Sequence, residues 1–119
     1  MKIAVTTTGK TLDDQVDLRF GRAHGFIIHD TESGEWEFAD NEQNLNAASG
    51  AGVQSAQNLA NRDVQAVITG HVGPKAFSVL AAAGIKVLTG ADGIVKEALD
   101  AFKKGELSEA SAADVPSHW

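Results

Sequence analysis

Two spacings of apolar residues run through the chain. Lys2 to Thr7 has Ile3, Ala4 and Val5 at its centre and reads as a buried central strand. Gly25-Phe26-Ile27-Ile28-His29-Asp30 and Glu35-Trp36-Glu37-Phe38-Ala39 flank Thr31-Glu32-Ser33-Gly34, a hairpin pattern. Phe26, Ile28, Trp36 and Phe38 are expected to share its buried face, with His29 turned to solvent. From Val53 the spacing becomes helical, first through Ala56, Leu59 and Ala60, then through Phe77, Leu80 and Ala81, and last through Ile94, Val95, Ala98, Leu99 and Phe102. Between these helices, Val64 to Ile68 and Ile85-Lys86-Val87-Leu88 are short apolar runs suited to buried strands.

The punctuation agrees with these elements. Ser49 is placed to cap the first helix, Pro74 suits the first position of the second, and Gly84 suits its end. Lys103-Lys104-Gly105 puts positive charge at the negative end of the last helix. The order strand, loop, hairpin, then helix and strand in alternation predicts a three-layer α/β/α domain on a mixed five-stranded sheet. Strands one, four and five run parallel, the first lies beside the fourth, and the hairpin forms one edge. Residues 1–107 are read as one α/β domain and 108–119, rich in Ser, Ala and acids, as a loosely held tail.

Both crossover strands end in glycine turns, Gly70-His71-Val72-Gly73 and Gly90-Ala91-Asp92-Gly93, and a third such corner, Ser49-Gly50-Ala51-Gly52, opens the first helix. Parallel strands joined by helices bring such turns to one sheet edge, beside Thr6-Thr7-Thr8-Gly9. Helix N-termini there offer unpaired N–H groups with a positive dipole end behind them. Residues 10–24 lack a clean period and read as a structured loop anchored by Phe20, with Arg19, Arg22 and His24 within reach. The chemistry this predicts is the holding of an anion at the carboxyl edge.

Composition narrows the choice. With no cysteine among 119 residues, disulfides, thiolate metal sites and covalent thiol chemistry are excluded. The net charge of −6 argues against nucleic acid as a partner. The N-terminus has no secretory pattern and no apolar run approaches a membrane span, so the cytoplasm is the expected location, with no membrane partner. Strand ends carry threonines where a magnesium-dependent nuclease would need carboxylates, and no serine sits in a nucleophile elbow, so no catalytic residue is assigned. The acidic run Asp30, Glu32, Glu35, Glu37, Asp40 and Glu42 is read first as a solvated hairpin and second as a docking face.

Several segments together resemble the dinitrogenase iron-molybdenum cofactor biosynthesis family, which includes NifX and the carboxyl-terminal domain of NifB. They are Arg19-Phe20-Gly21-Arg22-Ala23, the small-residue run Ser49 to Gly52, Val67-Ile68-Thr69-Gly70 leading to Gly73-Pro74-Lys75-Ala76, and Ala83-Gly84-Ile85-Lys86-Val87. The resemblance runs from Met1 to about Leu107. It implies a ribonuclease-H-like fold and a noncatalytic role in binding or carrying a preassembled metal-sulfur cluster, iron-sulfur or molybdenum-containing, with a protein partner in cluster assembly or delivery. In the family a His often precedes Phe-Gly-Arg-Ala, and here that position is Arg19. Ligation then falls to His24, to His71 or to anion binding alone. The expected site is Thr8, Arg19, Gly21, Arg22, Gly50, Gly52, Gly70 and Gly73, with His24 and His71 as candidate metal ligands. The alternative is a small phosphorylated-metabolite or nucleotide-binding protein, or an enzyme for such a ligand, using the same glycine turns.

Overall fold

A computed structural model describes residues 1–41 and 50–113. The elements are β1 (Lys2–Thr7), β2 (Gly25–Asp30), β3 (Trp36–Asp40), α1 (Ala51–Ala60), β4 (Ala66–Ile68), α2 (Pro74–Ala82), β5 (Lys86–Leu88) and α3 (Val95–Lys103). Ser49, Glu42, His118 and Trp119 lie outside the described residues. The five strands form one sheet in the order β3-β2-β1-β4-β5. β1, β4 and β5 are parallel, and β2 and β3 continue the sheet antiparallel from β1. This is the mixed sheet that the sequence predicts, with β1 in the middle because its Ile3, Ala4 and Val5 are fully buried.

Alternate strand residues supply two cores. Ala4, Phe26, Ile28 and Val67 pack with Ala56 and Leu59 of α1 and Ala76 and Leu80 of α2. Ile3, Val5, Ile27 and Ile68 pack on the other face with Val95, Ala98 and Leu99 of α3. Each large aliphatic or aromatic side chain so buried contributes roughly 1.5–3 kcal/mol of transfer free energy. Of the α1 residues expected inward, Ala56 and Leu59 are buried and Ala60 packs against the core, while Val53 is only half-buried and Ala51 and Ser55 are buried beside them. The helix packs closely on α2 at its start, where a side chain on Gly52 would come within 3.0 Å of the Ala76 methyl.

The hairpin differs from expectation in its register. Asp30 N–H donates to Glu35 O, so a four-residue loop pairs position 30 with 35 and even positions of β2 with odd positions of β3. Phe26 and Ile28 therefore face the α1/α2 side, opposite Ala39 and Glu37, whereas Phe38 and Trp36 lie on the α3 side, opposite Ile27 and His29. The four aromatic and aliphatic residues do not share a face. Trp36 is 41% exposed. His29, expected at the surface, is buried, and its Nδ1 has no hydrogen-bond partner among the described residues.

The C-terminal segment is fastened further than the sequence indicates. Glu109 bridges to Leu88, Ala110 N–H donates to Val87 O at 2.7 Å, and Leu107 and Ala110 pack on the two cores. The segment expected to be loose from 108 thus covers the outer side of β5 as far as Ala110.

Candidate functional site

The loop from Thr8 to His24 folds across the carboxyl ends of the parallel strands as a rail of main-chain bonds. Thr8 N–H donates to Gln15 O, Asp17 N–H to Thr6 O, and Val16 N–H to Gly93 O. Thr6 Oγ1 donates to Asp17 O at 2.6 Å and lies 2.9 Å from Thr69 Oγ1. With its one proton on Asp17 O, Thr6 accepts from Thr69, so two buried hydroxyls tie the ends of β1 and β4 to the loop. Farther out, Asp14 accepts from Thr11 N–H at 2.8 Å and Thr11 Oγ1 at 2.9 Å. The Thr11 backbone bond is the leading reason that the Asp14 carboxyl is held below the usual range.

The next residues lock the loop to the turn after β4. His71 N–H donates to Leu18 O at 2.9 Å, and Phe20 N–H donates to His71 O at 3.2 Å. Arg19 lies between these bonds, in parallel register with His71. Phe20 is buried in the α1/α2 core with its ring centroid 5.9 Å from that of Phe26. Gly70 is glycine because the loop passes over it: an added Cβ would stand 2.8 Å from Leu18 Cα and 2.9 Å from Leu18 O. Leu18 itself is 47% exposed.

Gly21 closes the other side. A Cβ there would meet Gly52 N at 2.6 Å and Gly52 Cα at 2.7 Å, so the loop touches the first turn of α1 backbone to backbone. A buried amide holds this contact. Asn41 Nδ2 donates to Ala23 O at 3.0 Å and Gly21 O at 3.3 Å, and Asn41 Oδ1 accepts from Ser55 Oγ at 3.1 Å. Gly50 begins α1 with φ 76°, and Gly73 precedes Pro74 at the start of α2 in extended conformation.

The structure therefore collects Arg19, Gly21, Arg22, Gly50, Gly52, Gly70, His71 and Gly73 where the loop meets the starts of α1 and α2. Two expected site residues stand apart. Thr8 turns both its N–H and its hydroxyl to Gln15 O. His24 stacks on Phe38 at 5.7 Å, and Phe38 belongs to the α3-side core, so this imidazole lies on the opposite face from α1. Lys10 Nζ lies 5.9 Å from the centroid of the same ring. Among the described residues no three His, Cys, Asp or Glu side chains are grouped as a metal ion would need. The segments that meet at the junction carry backbone amides, two arginines and one histidine, residue types that suit an anion better than a chelated ion.

Residues 1–105 match the family described as dinitrogenase iron-molybdenum cofactor. The chain belongs to this family. Its NifX-like character and α/β architecture are thereby settled. An uncharacterized protein of Methanocaldococcus jannaschii is 33% identical over 111 residues, which are 92% of this chain and 91% of the relative. Among solved structures, the apo form of the orange protein from Desulfovibrio gigas superposes with a TM-score of 0.93 at 42% identity over 96% of both chains. A Thermotoga protein with a suggested NifB assignment, solved by NMR, gives 0.84 at 40% identity over 96% of this chain and 97% of that one. No helix among the described residues of this family member is long and apolar enough to cross a membrane.

Two features of the junction were not anticipated: the Asn41–Ser55 network and the strand-like pairing of the loop with the rim. Ser55 offered one signal, since it lies four residues before Leu59 and so on the inward side of a helix, where a hydroxyl needs a buried partner. The pairing had none, because residues 10–24 show no period.

Proposed function

We propose that the protein is a noncatalytic carrier of an anionic metal-sulfur cluster, the cluster being its cargo. The proposed site is the junction of Arg19, Gly21, Arg22, Gly50, Gly52, Gly70, His71 and Gly73, with His71 the better placed of the two candidate ligands, and with Thr8 and His24 at its margins. The observation that carries the reading is the double lock of the loop, to His71 on one side and Gly52 on the other, which holds the backbone of the segment carrying Arg19 and Arg22 against the stretches that lead into α1 and α2, in a molecule of net charge −6. Sulfides of a preassembled cluster accept hydrogen bonds from such donors without any thiolate from the protein. Contacts of this kind are exchangeable, as delivery to a partner in cluster assembly requires. Family membership supports the reading, and the strand order is the one that a ribonuclease-H-like fold would have. A coloured, removable ligand is also in keeping with kinship to an orange protein solved in its apo form.

Anaerobic reconstitution with iron, sulfide and molybdate tests the proposal. A visible charge-transfer spectrum is expected in the parent, and its loss in the Arg19→Ala/Arg22→Ala variant with an unchanged melting temperature. Parent protein that stays colourless, but is stabilised by inorganic phosphate or a nucleotide, would shift the reading to a phosphorylated-metabolite site on the same corners.

A further inference from the structure

Away from the rim, the β3 edge of the sheet is open among the described residues. β3 pairs with β2 on one side, and among the described residues no strand lies on its other side. The direction of its peptide groups follows from the bonds Asp30 N–H to Glu35 O and Asn41 N–H to His24 O. Positions 35, 37, 39 and 41 are bonded toward β2, so the N–H and C=O groups of Trp36 and Phe38 point outward. Natural sheets guard such an edge with charged side chains, above all lysine, with proline or with a bulge, and the charges on this edge are all acidic. Residues 30–42 contain no Lys, Arg or Pro.

The two faces of this edge differ. On the α3 side stand Trp36, 41% exposed, and half-buried Phe38. On the other side Asp30, Glu35 and Glu37 surround a depression of about 200 Å³, floored by Ile28 and bordered by Lys2 and Trp36. Glu37 meets Arg62 Nη1 at 3.4 Å, but both side chains are largely in solvent and the pair is exchangeable. Glu35 has no ion pair among the described residues.

We infer that β3 is a docking edge that accepts, as a sixth strand, an extended segment of a partner protein in which basic and apolar residues alternate. Main-chain bonds to Trp36 and Phe38 hold the strand. Its apolar side chains cover Trp36, and a lysine or arginine enters the depression beside Glu35 and Glu37, Asp30 already facing the Met1 ammonium at 3.9 Å. A second copy of this chain is a poor occupant, because pairing two β3 edges sets the Glu35 and Glu37 carboxylates of the two copies beside one another on the same face.

The probe is a short peptide alternating Lys and Val, titrated into the full chain at low salt and followed by amide nitrogen–proton correlation spectra. The largest shifts and newly slowed exchange are expected at the amides of Trp36 and Phe38, with the carboxyl rim unchanged. Glu35→Gln/Glu37→Gln should weaken binding about three- to tenfold, as loss of two solvent-exposed ion pairs does. The same peptide with alternate backbone nitrogens methylated cannot pair as a strand and should not bind. Equal binding of the methylated peptide, shifts centred on Arg19 and Arg22, or no shift at all would each overturn the assignment.

Discussion

Replacing Gly21 by alanine tests the contact on which the candidate site is built. The new methyl would stand 2.6 Å from Gly52 N and 2.7 Å from Gly52 Cα, main-chain atoms that cannot rotate away. Overpacking of this kind costs about 1–3 kcal/mol. Relief requires the loop to lift, which also stretches the 3.3 Å bond that Gly21 O accepts from Asn41 Nδ2, worth about 0.5–1.5 kcal/mol. A total loss of about 2–4 kcal/mol corresponds, at roughly 2.1 cal/mol/K of unfolding entropy per residue, to a fall in melting temperature of about 8–16 °C. Gly52→Ala is the control. Its methyl meets only the Ala76 Cβ, at 3.0 Å, and alanine gains up to about 1 kcal/mol of helix propensity over glycine. Calorimetry on both variants decides the matter. Gly21→Ala melting within about 3 °C of the parent, or Gly52→Ala falling as far, would refute the close approach of loop and helix.

Asn41→Asp replaces a donor aimed at two carbonyls with a buried acceptor. It should cost at least about 3 kcal/mol at neutral pH and recover in part on acidification, when the carboxyl can again donate; urea unfolding at several pH values measures both. Burial first, and the Lys103 charge second, push the His29 imidazole below its ordinary pKa, while Asp30 opposes them. The folded protein thus binds the proton less readily than the unfolded chain. Stability from this group is full above about pH 6.5 and falls as pH drops through that value. The urea midpoint of the parent should decline between about pH 7 and pH 5, and that of His29→Gln should decline less; parallel curves would disprove the assignment.

The sheet was legible because its signals are local. The apolar centres of β1, β4 and β5, the helical spacing of 95–102 and the stops at Gly84 and Gly105 each depend on a few adjacent residues. The hairpin register was less accessible because it turns on parity: one residue fewer in the loop would have placed Trp36 opposite Ile28. His29 followed the same error, and a strand position read as outward became a buried imidazole. At the rim, the glycines announced tight turns without saying what they were tight against. Gly70 admits Leu18 and Gly21 admits Gly52, long-range approaches that no window of sequence contains. The unit holding them, Asn41 with Ser55, joins residues 14 positions apart.

The two flanks of the sheet are unequal, since Glu109 and Ala110 occupy the β5 side while among the described residues no strand pairs with the outer side of β3. Growth by lateral addition therefore has a start but no continuation. A filament of copies of this chain would need two open edges on each copy, and the covered β5 side denies it the second. An acidic protein with one receptive border and one sealed by its own chain can recruit a single client without the hazard of filaments.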